Sequence, residues 1–327
     1  MRLLFFTDSH IRGTSPKNRK DDYVQTLENK MLEIVHIINK NDIDFVIHGG
    51  DLFDRPDVSI SITSRFSRIF KKIQVPFYLV SGNHDVYGHN PQTISRTIIG
   101  LLNELDILNI VSENDRIILH KKDIAVQITG QPYIYNIDDS INRKYYMVDD
   151  IDDSVNYAIH VVHGMLLDKP FIKGVPYTLV DEIKDTKADI TIAGHYHSGF
   201  NNIEIDGKYF LNPGSIVRIS NSIREIERRP KVIIIDLDKE IKIEDIYLEN
   251  ALSGDLVLDR DEIEKNIFKR ERLYEFKQTV DSAMDYEKMD INDVLIEVSN
   301  SEGLSEEVKA EALKRIAMVQ MKGSSGD

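Results

Sequence analysis

Within the first hundred of 327 residues, three short apolar runs stop abruptly at side chains with metal- or proton-binding chemistry. Residues 2–7 end in Asp8-Ser9-His10, residues 44–48 in Gly49-Gly50-Asp51, and residues 76–80 in Ser81-Gly82-Asn83-His84-Asp85. Stretches with helical apolar spacing follow each run: 23–39 (Leu27, Met31, Ile34, Val35, Ile38), 59–73 (Phe66, Ile69, Phe70, Ile73) and 93–105. Strand and helix alternating three times predict a parallel sheet covered by helices. Open α/β sheets bind ligands off the carboxyl ends of their strands, where these polar residues fall.

The second half is richer in strands, predicted at 107–111, 116–120, 123–128, 157–162, 190–193, 202–205, 208–211, 231–237 and 241–248. Asp206-Gly207 between two of them is a hairpin signal. Asn212-Pro213-Gly214-Ser215 reads as a turn, and the acid-rich segment 138–153 as an excursion or lid. The expected architecture is α/β, with two sheets sandwiched between helices. The expected divisions are a domain over 1–250, a charged helical extension over 251–321 and a disordered tail over 322–327.

Bulk properties narrow the function classes. No stretch reaches the roughly 18 apolar residues of a membrane span, and the run Met1–Thr7 is too short for a secretory signal. A cytoplasmic location is expected. Cysteine is absent, which excludes disulfides and thiolate metal ligands. A net charge of −14 argues against a free-standing nucleic-acid binder. It leaves room for a nuclease whose cations neutralise the site and whose partner brings basic surface.

Five places carry ligand-type residues at strand ends: Asp8 with His10, Asp51, Asn83, His163, and His195 with His197. Spacing of two puts each paired set on one face of a strand. If Asp51 bridges, seven side chains serve two cations, and mixed nitrogen and oxygen donors suit Mn²⁺, Fe²⁺ or Zn²⁺ better than Ca²⁺. Any one histidine is more often a core or surface residue, which is the reading given to His36, His89, His120 and His160. His48, just ahead of the turn, is expected to support the ligands from behind. His84, next to Asn83, faces substrate as a proton donor in this reading, with Asp85 holding its ring.

Together, Asp8-x-His10, Gly50-Asp51-x-x-Asp54, Gly82-Asn83-His84-Asp85, His163 and Gly194-His195-x-His197 resemble the signature of the calcineurin-like metallophosphoesterases over about residues 1–236. The resemblance implies a four-layer αββα sandwich and two divalent cations, with Mn²⁺ the first choice. It implies one cation on Asp8, His10, Asp51 and His197, the other on Asp51, Asn83, His163 and His195, and a catalytic role for His84.

Within the superfamily, the start Leu3–His10, the segment Gly49–Pro56 and the helical C-terminal extension are most similar to the SbcD nuclease family. That implies a Mn-dependent DNA exo- or endonuclease of repair or recombination, working with an SbcC-like coiled-coil ATPase, with a homodimer as a further assembly. Where that family carries a DNA-capping domain, only about residues 237–258 are available, so DNA binding is expected to need the partner. Ile291, Val294, Leu295 and Val298, and again Val308, Ala312, Leu313, Ile316 and Val319, suit two short helices for clasping it. Lys169 and Lys173, in the loop after His163, are expected near a DNA backbone. The competing readings are a small-substrate phosphodiesterase of the cyclic-nucleotide type and a scaffold without chemistry. The full set of candidate ligands disfavours the second.

Overall fold

The structure is a computed structural model and describes residues 1–259 apart from positions 173 and 221, together with Lys265 and Arg272. The first half runs β1 (Arg2–Phe6), α1 (Tyr23–Lys40), β2 (Phe45–His48), α2 (Ile60–Phe70), β3 (Phe77–Leu79), α3 (Ile98–Glu104) and β4 (Asn109–Ile110). Next come β5 (Arg116–Lys121), β6 (Ile124–Gln131), β7 (Tyr157–Gly164), the short β8 (Leu166–Leu167) and β9 (Thr178–Leu179), then α4 (Val180–Ile183) and β10 (Ile190–His195). The described chain closes with β11 (Ile203–Ile205), β12 (Lys208–Leu211), α5 (Ile223–Glu227), β13 (Lys231–Leu237), β14 (Ile241–Tyr247) and α6 (Gly254–Val257).

Two six-stranded sheets result, in the orders β14-β13-β1-β2-β3-β4 and β11-β12-β10-β7-β6-β5. In the first, β1 to β4 are parallel, as the strand–helix alternation predicts, and β13 and β14 add an antiparallel margin. In the second, β12, β10, β7 and β6 are parallel between antiparallel edges β11 and β5. The β11–β12 hairpin turns at Asp206 and Gly207, both left-handed (φ 51° and 78°), as a tight two-residue turn requires.

Residue alternation along β1 shows how the layers are built. Leu3 and Phe5 point into the core between the sheets, against Val126, Ile128, Ile159, Val161, Ile190 and Ile192. Leu4 and Phe6 point the other way, to Leu27, Met31, Ile34, Phe66, Phe70 and Leu102 of the covering helices. A strand buried on both faces must be apolar throughout, which is why these runs lack polar residues until they end. Helix α1 is started by Asp22, whose carboxylate accepts from the Gln25 amide at 3.1 Å.

The outer cover of the second sheet is thinner. It consists of α4 and a 3₁₀ turn at Ser140–Tyr146, with Ile137, Tyr146, Val180 and Ile183 packed on Val162, Ala193 and Phe210. The front of the segment expected as a lid is thus part of the core, pinned because Ile137 and Tyr146 are buried. The fold is the four-layer α/β sandwich.

Residues Met1–Glu262 form one compact unit. Residues 251–258, expected to open the extension, pack into it: Val257 and Leu258 are buried, and Leu258 bridges to Arg19. The rest of the expected extension, both amphipathic stretches and the tail at 322–327 lie outside the described residues, as does Lys173. Among the described residues, no helix is long and apolar enough to cross a membrane.

Candidate metal centre

The loops leaving β1 and β2 are zipped together by backbone bonds. The amides of Asp8, His10 and Ile11 donate to the carbonyls of Gly50, Asp51 and Leu52, each at 3.0 Å. Asp8, His10, Asp51 and His195 all have positive φ (52°, 42°, 54° and 80°). Such conformations are uncommon for non-glycine residues and persist where surrounding contacts enforce them, which is typical of functional sites. Two glycines make the crowding possible. A Cβ on Gly50, itself at φ 106°, would lie 2.2 Å from His163 Nδ1, and one on Gly82 would lie 2.1 Å from Asp51 Oδ1.

The strand ends deliver all seven candidate ligands to one place. Asp8, His10, Asp51 and His197 form one group of converging donors, and Asp51, His163 and His195 form a second that shares Asp51. His10 Nε2 lies 3.0 Å from His197 Nε2 and 3.8 Å from Asp51 Oδ2, and His197 Nε2 is 3.5 Å from Asp8 Oδ1. In the second group, His163 Nε2 is 3.4 Å from Asp51 Oδ2 and 3.3 Å from Asn83 Oδ1. The His163 Nδ1–H donates to the Gly49 carbonyl at 2.7 Å, which turns Nε2 towards the carboxylate.

The electrostatics fit a cation. Burial would push the Asp8 and Asp51 carboxyls up, but the histidines around them hold both well below the ordinary range. Burial pushes His10 down to about 3 and, with the nearby His163, takes His195 down to about 4, so both rings present free nitrogen lone pairs. Burial alone would lower His163 too, yet Asp51 and Asp8 raise it to about 9. Ring nitrogens and carboxylate oxygens converging within a buried space, without sulfur, make this a candidate site for first-row divalent metals.

The calcineurin-like phosphoesterase family matches residues 1–199. The chain belongs to this family. This phosphoesterase is also similar to DNA double-strand break repair proteins Mre11. It is 24% identical over 312 residues to that of Encephalitozoon cuniculi, covering 82% of this chain and 51% of that protein. It is 23% identical over 246 residues to that of Methanosarcina mazei, covering 72% and 36%. It is 26% identical over 146 residues to that of Saccharolobus solfataricus, covering 43% and 35%. The phosphoesterase thus spans about half or less of the length of these relatives.

One expected role in the phosphoesterase is corrected by the geometry. Asp85 is buried and its carboxylate accepts from the amides of Gly82 (2.9 Å), Phe53 (3.0 Å) and Leu52 (3.3 Å). It braces the loops that carry Asp51 and Asn83 and does not orient the His84 ring. Burial and the neighbouring Asp51 push it up to about 7. His84 faces solvent, and its Nδ1–H donates to the Asp54 carbonyl at 2.9 Å, while its own amide donates to Asp51 Oδ1 at 2.8 Å. The ring is therefore held by the segment after Asp51, with Nε2 left for a substrate.

His48 is fully buried behind the site. Its Nδ1 accepts from the Gly50 amide at 3.2 Å, so Nε2–H donates to Ser9 Oγ at 2.8 Å. It supports the turn, as expected of its position. Tyr133 carries no sequence signal of its place here: its ring lies 5.5 Å from that of His195 and 6.3 Å from that of His163, against both imidazoles. The loop after His163 is less free than its sequence suggests. Leu166 and Leu167 are buried in the β8–β9 pair, Phe171 meets Tyr196 edge-on, and exposed Lys169 lies 3.9 Å from Asp168.

Proposed function

We propose that this phosphoesterase hydrolyses phosphodiester bonds of DNA with two divalent cations, Mn²⁺ being the first choice and Fe²⁺ or Zn²⁺ the alternatives. The observation that carries the reading is the shared carboxylate: Asp51 belongs both to the group with Asp8, His10 and His197 and to the group with His163 and His195. Asp8, His10, Asp51 and His197 would hold one cation, and Asp51, Asn83, His163 and His195 the other. Bound there, the cations supply Lewis-acid stabilisation of charge on the phosphoryl oxygens.

The chain's own residues supply the rest. Asp51 also fixes His84 through the amide bond to Oδ1, so the proton donor and the bridging ligand keep one geometry. With Nδ1–H committed to the Asp54 carbonyl, His84 gives the Nε2 proton to the leaving sugar oxygen, a poor leaving group unless protonated.

DNA as substrate is supported by the likeness to Mre11 proteins, named for double-strand break repair. The net charge of −14 supports a division of labour, in which an SbcC-like coiled-coil ATPase brings the surface that holds duplex DNA. A cytoplasmic site of action and a homodimer complete this reading. The test is cleavage of linear duplex and single-stranded DNA against bis-p-nitrophenyl phosphate in Mn²⁺, with and without the ATPase. Metal-dependent cleavage of DNA is expected. Hydrolysis of the small ester with no cleavage of any DNA, even with the ATPase, would favour a small-substrate phosphodiesterase.

A further inference from the structure

Four consecutive carbonyls behind the site, those of Ser215 to Arg218, each accept from a cationic side chain. Arg228 donates to Ser215 O at 2.5 Å and also to Val217 O, Lys30 Nζ donates to Ile216 O at 2.8 Å, and Arg19 donates to Arg218 O at 3.0 Å. Lys30 is 1% exposed, on the face of α1 that otherwise carries aliphatic residues. Arg218 is buried as well and donates to the carbonyls of Leu252 and Arg228. Among the described residues, only Asp21, on Arg19, and Glu225, on Arg228, balance these charges by direct ion pairs, at 2.6 and 2.7 Å. Burying cations is costly, and an irregular segment could meet its carbonyls with water or a sheet partner instead.

The opposite side of the segment shows what the arrangement holds. The Ser215 amide donates to the His197 carbonyl at 3.0 Å, Ser215 Oγ–H donates to the Asp8 carbonyl at 2.7 Å, and the Ile216 amide donates to the Thr7 carbonyl at 3.3 Å. The Val217 amide in turn donates to Ser215 Oγ at 3.1 Å, which fixes that hydroxyl's direction. The segment is a strut between a cationic cradle and the two loops that present Asp8 and His197. These residues fall in one donor group only. The other group has further braces of its own, in Asp85 on the Gly82 amide and Gly49 on His163, and meets this one at the His195 amide, which donates to the Asp8 carboxylate.

We propose that Ser215 is a positioning residue for the cation position made by Asp8, His10, Asp51 and His197, setting its affinity far more than that of the other position. The inference rests on the two-cation reading above. Its effect runs through the Asp8 backbone, whose positive φ needs outside support, and through the His197 loop. Residues that orient metal ligands from behind typically change metal affinity by about 10–100-fold when removed.

Mn²⁺ titration by calorimetry, with free Mn²⁺ counted by electron paramagnetic resonance, tests it in two single-position backgrounds. His163→Ala leaves the position of Asp8 and His197, and His197→Ala leaves the position of Asn83 and His195. Ser215→Ala should weaken Mn²⁺ binding about ten-fold or more in the first background and by less than about two-fold in the second. Ser215→Thr, which keeps the hydroxyl, should restore the first. Lys30→Met, which removes the donor to Ile216 without touching either loop, should weaken the same position by a smaller factor and gives the same comparison should Ser215→Ala not fold. Equal weakening in both backgrounds, or none in either, overturns the proposal while leaving the two-cation reading intact. Failure of the unmodified protein to bind Mn²⁺ overturns both.

Discussion

The loops off the two sheets bring different chemistry to the centre. Those leaving the first sheet carry Asp8, His10, Asp51 and Asn83, and with them every oxygen donor of the seven; the strand ends of the second and the loop after β10 carry His163, His195 and His197, which offer nitrogen alone. The first set is also the more enclosed. Asp8, His10 and Asp51 are at most 1% exposed and Asn83 is partly open, whereas in the second set only His163 is buried and His195 and His197 are partly open. The first sheet therefore sets the charge of the site and its rigid floor, and the second closes the ring of donors. The bond from the His195 amide to the Asp8 carboxylate, at 3.1 Å, stitches the two together.

The comparison breaks most sharply at Asp51. Asp51→Ala removes the one carboxylate common to both donor groups, so both cations should be lost and hydrolysis should fall to background. Elemental analysis checks this, and two ions retained per chain would refute the bridge. His197→Ala, from the second sheet, should leave one ion in place.

The next effect is chemical. His84→Ala should lose about 10²–10⁴-fold in DNA cleavage while keeping both ions. The loss should shrink on a p-nitrophenyl ester, whose leaving group needs no proton. Comparable losses on both substrates would assign the ring to positioning.

Asp85 separates bracing from catalysis. Asp85→Asn cannot satisfy all three amides that now donate to the carboxylate, so about 1–3 kcal/mol of stability should go, read as a lower melting temperature. The ratio of activities on the two substrates should not follow that of His84→Ala.

A further effect, confined to the metal-free protein, is a pH slope that ties the sheets together. His163 is raised to about 9 from an ordinary 6.5, with burial opposing and Asp51 winning. The stabilisation is fully present below about 6.5 and is lost as pH rises through 9. Metal-free protein should therefore lose melting temperature between pH 7 and 9.5. Asp51→Asn should flatten that slope, and so should saturating Mn²⁺.

Much of this site was legible along the chain because its parts are local. An apolar run that stops at Asp8, Asp51 or His195 marks a strand end, and glycine beside it marks a tight turn, whatever the rest of the fold does. The alternation of β1 to α3 likewise needs only periodicity. The misreading of Asp85 has the opposite cause. Adjacent in sequence to His84, it was expected to hold that ring, but the chain turns at Gly82 and sends the two side chains apart. Asp54, thirty residues away in sequence, takes the ring instead.

Sequence by itself determined which residues could carry metals and protons, and the order in which strands would present them, since both follow from residue chemistry and short-range period. Only the tertiary structure decided which donors converge, which groups brace them and which rings lie against them. Asp51 meets His163 across two sheets, Ser215 reaches Asp8 from more than two hundred residues away, and Tyr133 lies over His195. Such pairings depend on how two sheets are stacked, and no local pattern encodes the distance between residues that meet only after packing.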